Sequence, residues 1–201
     1  MNFLAHFHIA SLTNTSLTGA LLGDFVRGRQ FQQFPMDVQL GISLHRKVDS
    51  YSEQMPYLKV IRPQFPQGQR RYLGIVTDML LDHKLSQHWH EFHHMPLPDF
   101  AASVYSQLVP LPQTAPRYDD VRLAMSQGDW LSRYQTEQQI LHALSRISQR
   151  LKRPADLAAI GTRCLQDFQP ELEQAILVDY QAMIQRLQDW LKHCGEQNQP
   201  R

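Results

Sequence analysis

The sequence predicts an all-α fold, a compact helical bundle forming one domain over residues 1–201. Three observations carry the prediction. Apolar residues recur at helical spacing along most of the chain. No segment alternates apolar and polar residues long enough to define a strand. Prolines open the helical patterns or punctuate the gaps between them.

The elements follow in order. Ser16–Arg27 reads as a short helix, with Thr13, Asn14 and Thr15 as capping candidates. Pro35 opens a second helix to about Ser52, with Val38, Ile42 and Val48 on one flank. Pro56 and Pro63–Pro66 interrupt the chain before a central helix, Gln69–Trp89, whose buried stripe is Leu73, Val76, Leu80 and Leu81. Pro96 and Pro98 break the next segment, and a helix covers Asp99–Leu108. Pro110, Pro112 and Pro116 mark a loop and a subdomain seam near 109–117. Tyr118–Met125, Thr136–Leu151 and Pro154–Cys164 read as helices. Pro170 opens a last one to about His193, with Leu172, Ile176, Tyr180, Met183, Leu187 and Leu191 on one face.

Composition narrows the function. With 42% apolar and 19% charged residues the chain can build a core and is not a disordered segment. Cys164 and Cys194 form neither a metal nor a disulfide pattern and read as reduced thiols, with Cys194 toward the surface. The start, MNFLAHFHIASLTNTS, lacks the basic and apolar regions of a signal peptide, and no apolar run reaches bilayer length. A soluble, cytoplasmic protein with no membrane partner is expected. The net charge of +1 implies no polyanionic ligand, and no RNA-binding aromatic motif appears, so no nucleic-acid partner is expected. Residues 1–75 nevertheless hold eight Lys/Arg against four Asp/Glu, a balance of +4 that could steer an acidic partner. A GxSxG elbow, a Walker loop and a dinucleotide fingerprint are all missing.

What remains is a high histidine count, ten in all, gathered with aspartates in the first half. The groups are His6 and His8; Asp24; His45 and Asp49; Asp78, Asp82 and His83; and His88, His90, His93 and His94. His45 and Asp49 share a helix face at i,i+4, as do Asp78 and Asp82. Asp78 and Asp82 flank apolar Met79, Leu80 and Leu81, where a carboxylate is costly unless paired or metal-bound. Mixed imidazole and carboxylate ligands suit Mn²⁺, Fe²⁺ or Zn²⁺, and carboxylates with water suit Mg²⁺. Each group also has a plain structural reading. His45–Asp49 can be a helical ion pair, Asp78 or Asp82 a partner of Arg70, Arg71 or Lys84, and His88–His94 a surface run.

Four ordered motifs go further: MNFLAHFHIA, LTGALLGDFVRG, GISLHRKVDSYSEQMP and GIVTDMLLDHKLSQHW. Together they resemble the acyl carrier protein phosphodiesterases, or ACP hydrolases, over roughly residues 1–95 by motif and to the end by length and helical pattern. That family is similar to the HD-type metal-dependent phosphohydrolases, all-helical proteins that hold divalent metal with histidines and aspartates. Here the Asp82–His83 order reverses the usual His-Asp doublet. The resemblance implies hydrolysis of the phosphodiester joining 4′-phosphopantetheine to a serine of holo acyl carrier protein, with Mn²⁺ as cofactor and Mg²⁺ or Fe²⁺ as alternatives. Asp24, His45, Asp78, Asp82 and His83 form the expected ligand pool, with His6 a further candidate. Asp24, His45, Arg46, Asp49 and Asp78 are the expected catalytic set. In it Arg46 would clamp a phosphate oxygen, and Asp49 would orient His45 or act on the water. Arg27, Lys47, Arg70 and Arg71 are the expected contacts to the carrier, an acidic helical protein. The alternatives are an HD-type phosphohydrolase acting on a nucleotide or other small phosphate ester, and a non-enzymatic carrier-binding protein.

Overall fold

The structure, a computed structural model, describes residues 1–111 and 116–197. Among these residues every regular element is helical. Helices α1 (Phe3–Leu12) and α2 (Leu17–Leu22) come first, and α3 (Met36–Ser52) follows a 3₁₀ stretch at Gly28–Gln33. Two short pieces, α4 (Pro56–Ile61) and α5 (Gln67–Arg70), lead to α6 (Leu73–Gln87). Next come α7 (Trp89–Phe92), α8 (Leu97–Gln107), α9 (Pro116–Gly128) and α10 (Trp130–Arg133). Helices α11 (Glu137–Ser148) and α12 (Leu157–Asp167) pack together, and α13 (Gln169–Gln174) passes through a π-helical turn, Ala175–Tyr180, into α14 (Gln181–Gln197).

Helices α1 and α6 sit at the centre. On one side α1 packs against α2 and α3; on the other α6 packs against α11, α12 and α13. Residues Leu4 to Ala10 of α1 are buried without exception. A helix buried all round shows no 3.6-residue alternation, so the sequence pattern assigns 3–12 no element. Helix α6 falls inside the expected central helix Gln69–Trp89, and its buried set includes Asp82, His83, Lys84 and Ser86 beside its leucines.

Helix boundaries differ from expectation for local reasons. Ser16, not the Thr13–Thr15 run, caps α2, its Oγ accepting from the Gly19 amide at 3.1 Å. Asn14 instead takes the left-handed conformation (φ 50°) that turns the chain out of α1. The last helix is interrupted at Ala175–Tyr180, where Leu172, Ile176 and Tyr180 are buried at strict four-residue spacing. An α-helix drifts off such a spacing, and a wider π turn reduces the drift.

Helices α2 and α3 touch backbone to backbone. A Cβ on Gly19 would lie 2.5 Å from the Val38 carbonyl oxygen, and one on Gly41 2.7 Å from that of Ser16. This approach brings the end of α2 beside the middle of α3. Cys164 is buried and its thiol is pushed up to about 12 by burial, which makes it inert; Cys194 is half-buried. The seam expected near 109–117 falls partly on residues 112–115, outside the described residues. No described helix is long and apolar enough to cross a membrane.

Candidate metal centre and its cavity

Three elements bring one group of side chains together. Helix α1 supplies His6, α3 supplies His45 and Asp49, and the turn after α2 supplies Asp24. The rings of His6 and His45 stack at 3.8 Å between centroids, 11° from parallel. Asp49 bridges them, with Oδ1 3.1 Å from His6 Nε2 and Oδ2 3.2 Å from His45 Nε2. Asp24 Oδ1 stands 3.7 Å from the same His45 nitrogen. Each of His6, His45 and Asp49 offers a ligand atom within 4.8 Å of the others. Asp78 of α6 joins from the side, accepting from the Met1 α-amino group at 2.8 Å, and Ser52 Oγ accepts from that amine at 3.0 Å.

The hydrogen bonds decide which atoms are free. His45 Nδ1–H donates to the Ala20 carbonyl at 2.7 Å. Its Nε2 therefore aims a lone pair at two carboxylates, and acceptors face each other this closely only with a proton or a metal cation between them. Burial acts to lower the His45 pKa, but the hydrogen bond to Asp49 and the charges of Asp24 and Asp49 outweigh it, and the ring sits above its ordinary value. His6 Nε2 faces two acceptors, Asp49 and the Met1 carbonyl at 3.1 Å, which leaves its buried Nδ1 without a partner. Burial, then the neighbouring His45, holds His6 down to about 3, so the ring is neutral as a ligand must be. Asp49 lies well below the carboxylate range: burial opposes this, and the two histidine hydrogen bonds overcome it. Asp24 is raised, chiefly by burial, with His45 opposing and Asp49 adding to the rise. A convergent imidazole–carboxylate set with an orphaned ring nitrogen fits a divalent cation.

The carboxylates open the group to space. Asp24 and Asp49 keep 46% and 44% of their side-chain surface exposed, while the His6 and His45 rings keep 4% and 3%. They line a cavity of about 630 Å³ together with Asp78, Glu53 and the apolar Phe3, Phe25, Ile75 and Met79. The rest of the lining comes from α9, α10, α11 and the turn after it, and carries Arg117, Arg133, His142, Arg146 and Arg150 beside Trp130 and Tyr134.

A family model described as acyl carrier protein phosphodiesterase matches residues 1–187. The chain belongs to that family. The acyl carrier protein phosphodiesterase of Yersinia pestis is 37% identical over 190 residues, covering 94% of this chain and 98% of that protein. That of Serratia proteamaculans is 35% identical over 191 residues, with the same two coverages. The Escherichia coli O157:H7 protein of that name is 35% identical over 188 residues, 87% of this chain and 97% of its own length. No solved structure matches the chain significantly.

Within the family's motifs the structure separates residues that look alike in sequence. It gathers His6, Asp24, His45, Asp49 and Asp78. Asp82 and His83 are corrections to the expected ligand pool. The Asp82 carboxylate is fully buried and accepts from the backbone amides of Asn2, Leu4 and Ala5 at 3.3, 2.7 and 3.3 Å. It caps α1 from another helix, where Asn2 makes no side-chain cap of its own. Burial pushes this carboxyl up to about 7, against the α-amino group and those three amides. His83 Nδ1–H donates to the Tyr134 carbonyl at 2.6 Å. Arg46 is also elsewhere: its guanidinium donates to the Gly28 and Val26 carbonyls and lies 5.0 Å over the Phe31 ring, so it fastens the 26–31 loop.

The expected carrier contacts do not line the cavity. Arg27 is exposed outside it. Lys47 lies 5.8 Å from both the Tyr51 and Trp190 rings, Arg70 donates to the Phe65 and Pro63 carbonyls, and Arg71 donates to Gly68. The sequence reading missed the arginine wall. Its signal was the polar stripe Gln139, His142 and Arg146 opposite buried Ile140 and Leu144 on α11, with Arg150 just after it.

Proposed function

We propose that this chain hydrolyses the phosphodiester of holo acyl carrier protein, releasing 4′-phosphopantetheine and the apo carrier. The observation that carries the reading is the His6–His45–Asp49 group opening on a large cavity in a member of the acyl carrier protein phosphodiesterase family. Its relatives are named for a phosphodiesterase acting on acyl carrier protein.

The residues divide the work. His6, His45 and Asp49 would hold the metal, Mn²⁺ on the mixed donor set, with Asp24 and Asp78 on the adjoining cavity wall. Such an ion supplies a water of lowered pKa and neutralises charge developing on the phosphate. Ala20 fixes the His45 tautomer through Nδ1, and Asp49 holds both rings in register. Asp24, with its raised carboxyl on the cavity wall, carries a proton to the departing serine oxygen. The apolar lining by Phe3, Phe25 and Met79 restricts water around the ester.

Incubation with holo carrier and Mn²⁺ followed by intact mass is the test. The carrier should lose the mass of its phosphopantetheine arm, and chelation with EDTA should stop the loss until Mn²⁺ is returned. An unchanged carrier mass refutes the substrate, and full turnover in chelated, metal-free protein refutes the metal.

A further inference from the structure

The cavity has two chemically opposite walls. One carries the carboxylates of Asp24, Asp49, Glu53 and Asp78. The other is built by three helices and the turn after the last: Arg117 and Val121 from α9, Trp130 and Arg133 from α10, a stripe of α11 ending in Arg146, and Arg150 just beyond it. All four arginines are exposed. Among the described residues none of them makes an ion pair, whereas Arg122 and Arg163 are paired with Asp119 and Asp167. Arg46 and Arg70, on other faces, are taken up by backbone carbonyls. The uncommitted guanidinium groups at the cavity are therefore concentrated on one wall.

Unpaired arginines at a cavity edge are suited to carboxylates on a partner, through charge-assisted and bidentate hydrogen bonds. Their exposure places them at the rim, where a macromolecule reaches them before a small ester is enclosed. Resting on the functional reading above, we infer that the α9–α11 wall is the docking surface for the acidic carrier. Arg117, Arg133, Arg146 and Arg150 meet its carboxylates, and the arm crosses the cavity to the metal group. This moves the docking face from Arg27 and Lys47 in the first half of the chain to the second half.

Apo carrier separates docking from phosphate binding, because it has neither arm nor phosphate. Binding of fluorescently labelled apo carrier is titrated against the unaltered protein, Arg146→Glu/Arg150→Glu, Arg27→Glu/Lys47→Glu and Lys59→Glu, an exposed cation on α4 away from the cavity. The α11 pair should weaken binding roughly tenfold or more and flatten its salt dependence. Lys59→Glu should bind as the unaltered protein does. Arg117→Glu and Arg133→Glu singly serve as second variants should the pair fail to fold, each with a severalfold loss. Unchanged apo-carrier affinity in the α11 and single variants overturns the proposal, as does a loss confined to Arg27→Glu/Lys47→Glu. If the unaltered protein neither binds carrier nor releases the arm, the functional reading falls and the docking surface with it. If it releases the arm but the α11 pair keeps its KM for holo carrier, only the docking surface falls.

Discussion

The His6–His45–Asp49 group and the Asp82–His83 doublet are two buried imidazole–carboxylate sites in one core, and the structure treats them oppositely. In the doublet the carboxylate and one ring nitrogen have local uses. Both Asp82 oxygens cap α1, and His83 Nδ1 is bonded to the Tyr134 carbonyl. In the other group, demand is left over: His6 Nδ1 is orphaned, and His45 Nε2 confronts two acceptors beside an open cavity. His8 belongs with the satisfied class. Its Nε2–H donates to the Phe92 carbonyl at 3.2 Å and its Nδ1 accepts from the Tyr180 hydroxyl at 2.8 Å. A buried histidine or aspartate thus marks a site by what it lacks, since satisfied polar groups stabilise a core and unsatisfied ones await a ligand.

The sharpest way to break this contrast is Asp49→Asn. The amide supplies no anionic ligand between the two rings, so kcat/KM should fall roughly 10²–10⁴-fold. Calorimetric Mn²⁺ affinity should fall with it while the helical circular dichroism persists. Retained metal affinity would remove Asp49 from the centre.

His8 offers a pH test of the satisfied class. Burial, opposed by the Phe92 carbonyl, lowers it from the ordinary 6.5 to about 4. The unfolded chain then takes up a proton at a pH where the folded chain refuses it. Stability should therefore fall as pH drops from about 6.5 towards about 4, by about 3 kcal/mol from this one group. Denaturant melts of the unaltered protein and His8→Gln across that range should differ in slope by that amount. Parallel curves would mean that the ring is not held neutral.

Asp82→Asn should act on stability and not on chemistry. Losing one acceptor oxygen from the cap of α1 costs about 1–2 kcal/mol and lowers Tm by a few degrees. Folded protein should keep its activity within a few-fold, because α1 still presents His6. Lost activity with an unchanged Tm would return Asp82 to the metal group.

The smallest change is Gly23→Ala. A Cβ there would stand 2.1 Å from His45 Cγ, so the ring must shift. About a tenfold loss of kcat/KM with a minor change in Tm is expected, since a small misplacement of a positioned group is felt in the rate. An unaffected rate would show that the ring's position is not critical.

The sequence by itself determined the helical class and the main elements from α3 onward, and it singled out His6, His45 and Asp49, though with Asp49 outside the expected ligand pool. Proline punctuation, 3.6-residue stripes and the i,i+4 spacing of His45 and Asp49 are local properties of a chain. Motif order was also enough to mark the family. Tertiary structure decided the rest. It revealed α1, because a helix wrapped on all sides carries no periodicity. It sorted Asp82 from Asp78, four residues apart on one helix, by what each meets: the amides of α1 for one, the cavity and the α-amino group for the other. It also placed the arginine wall against the acidic one, bringing residues near 24 and 49 to share a cavity with residues near 133 and 146. Whether a polar atom in the core is satisfied depends on neighbours distant in sequence, and no local pattern encodes that.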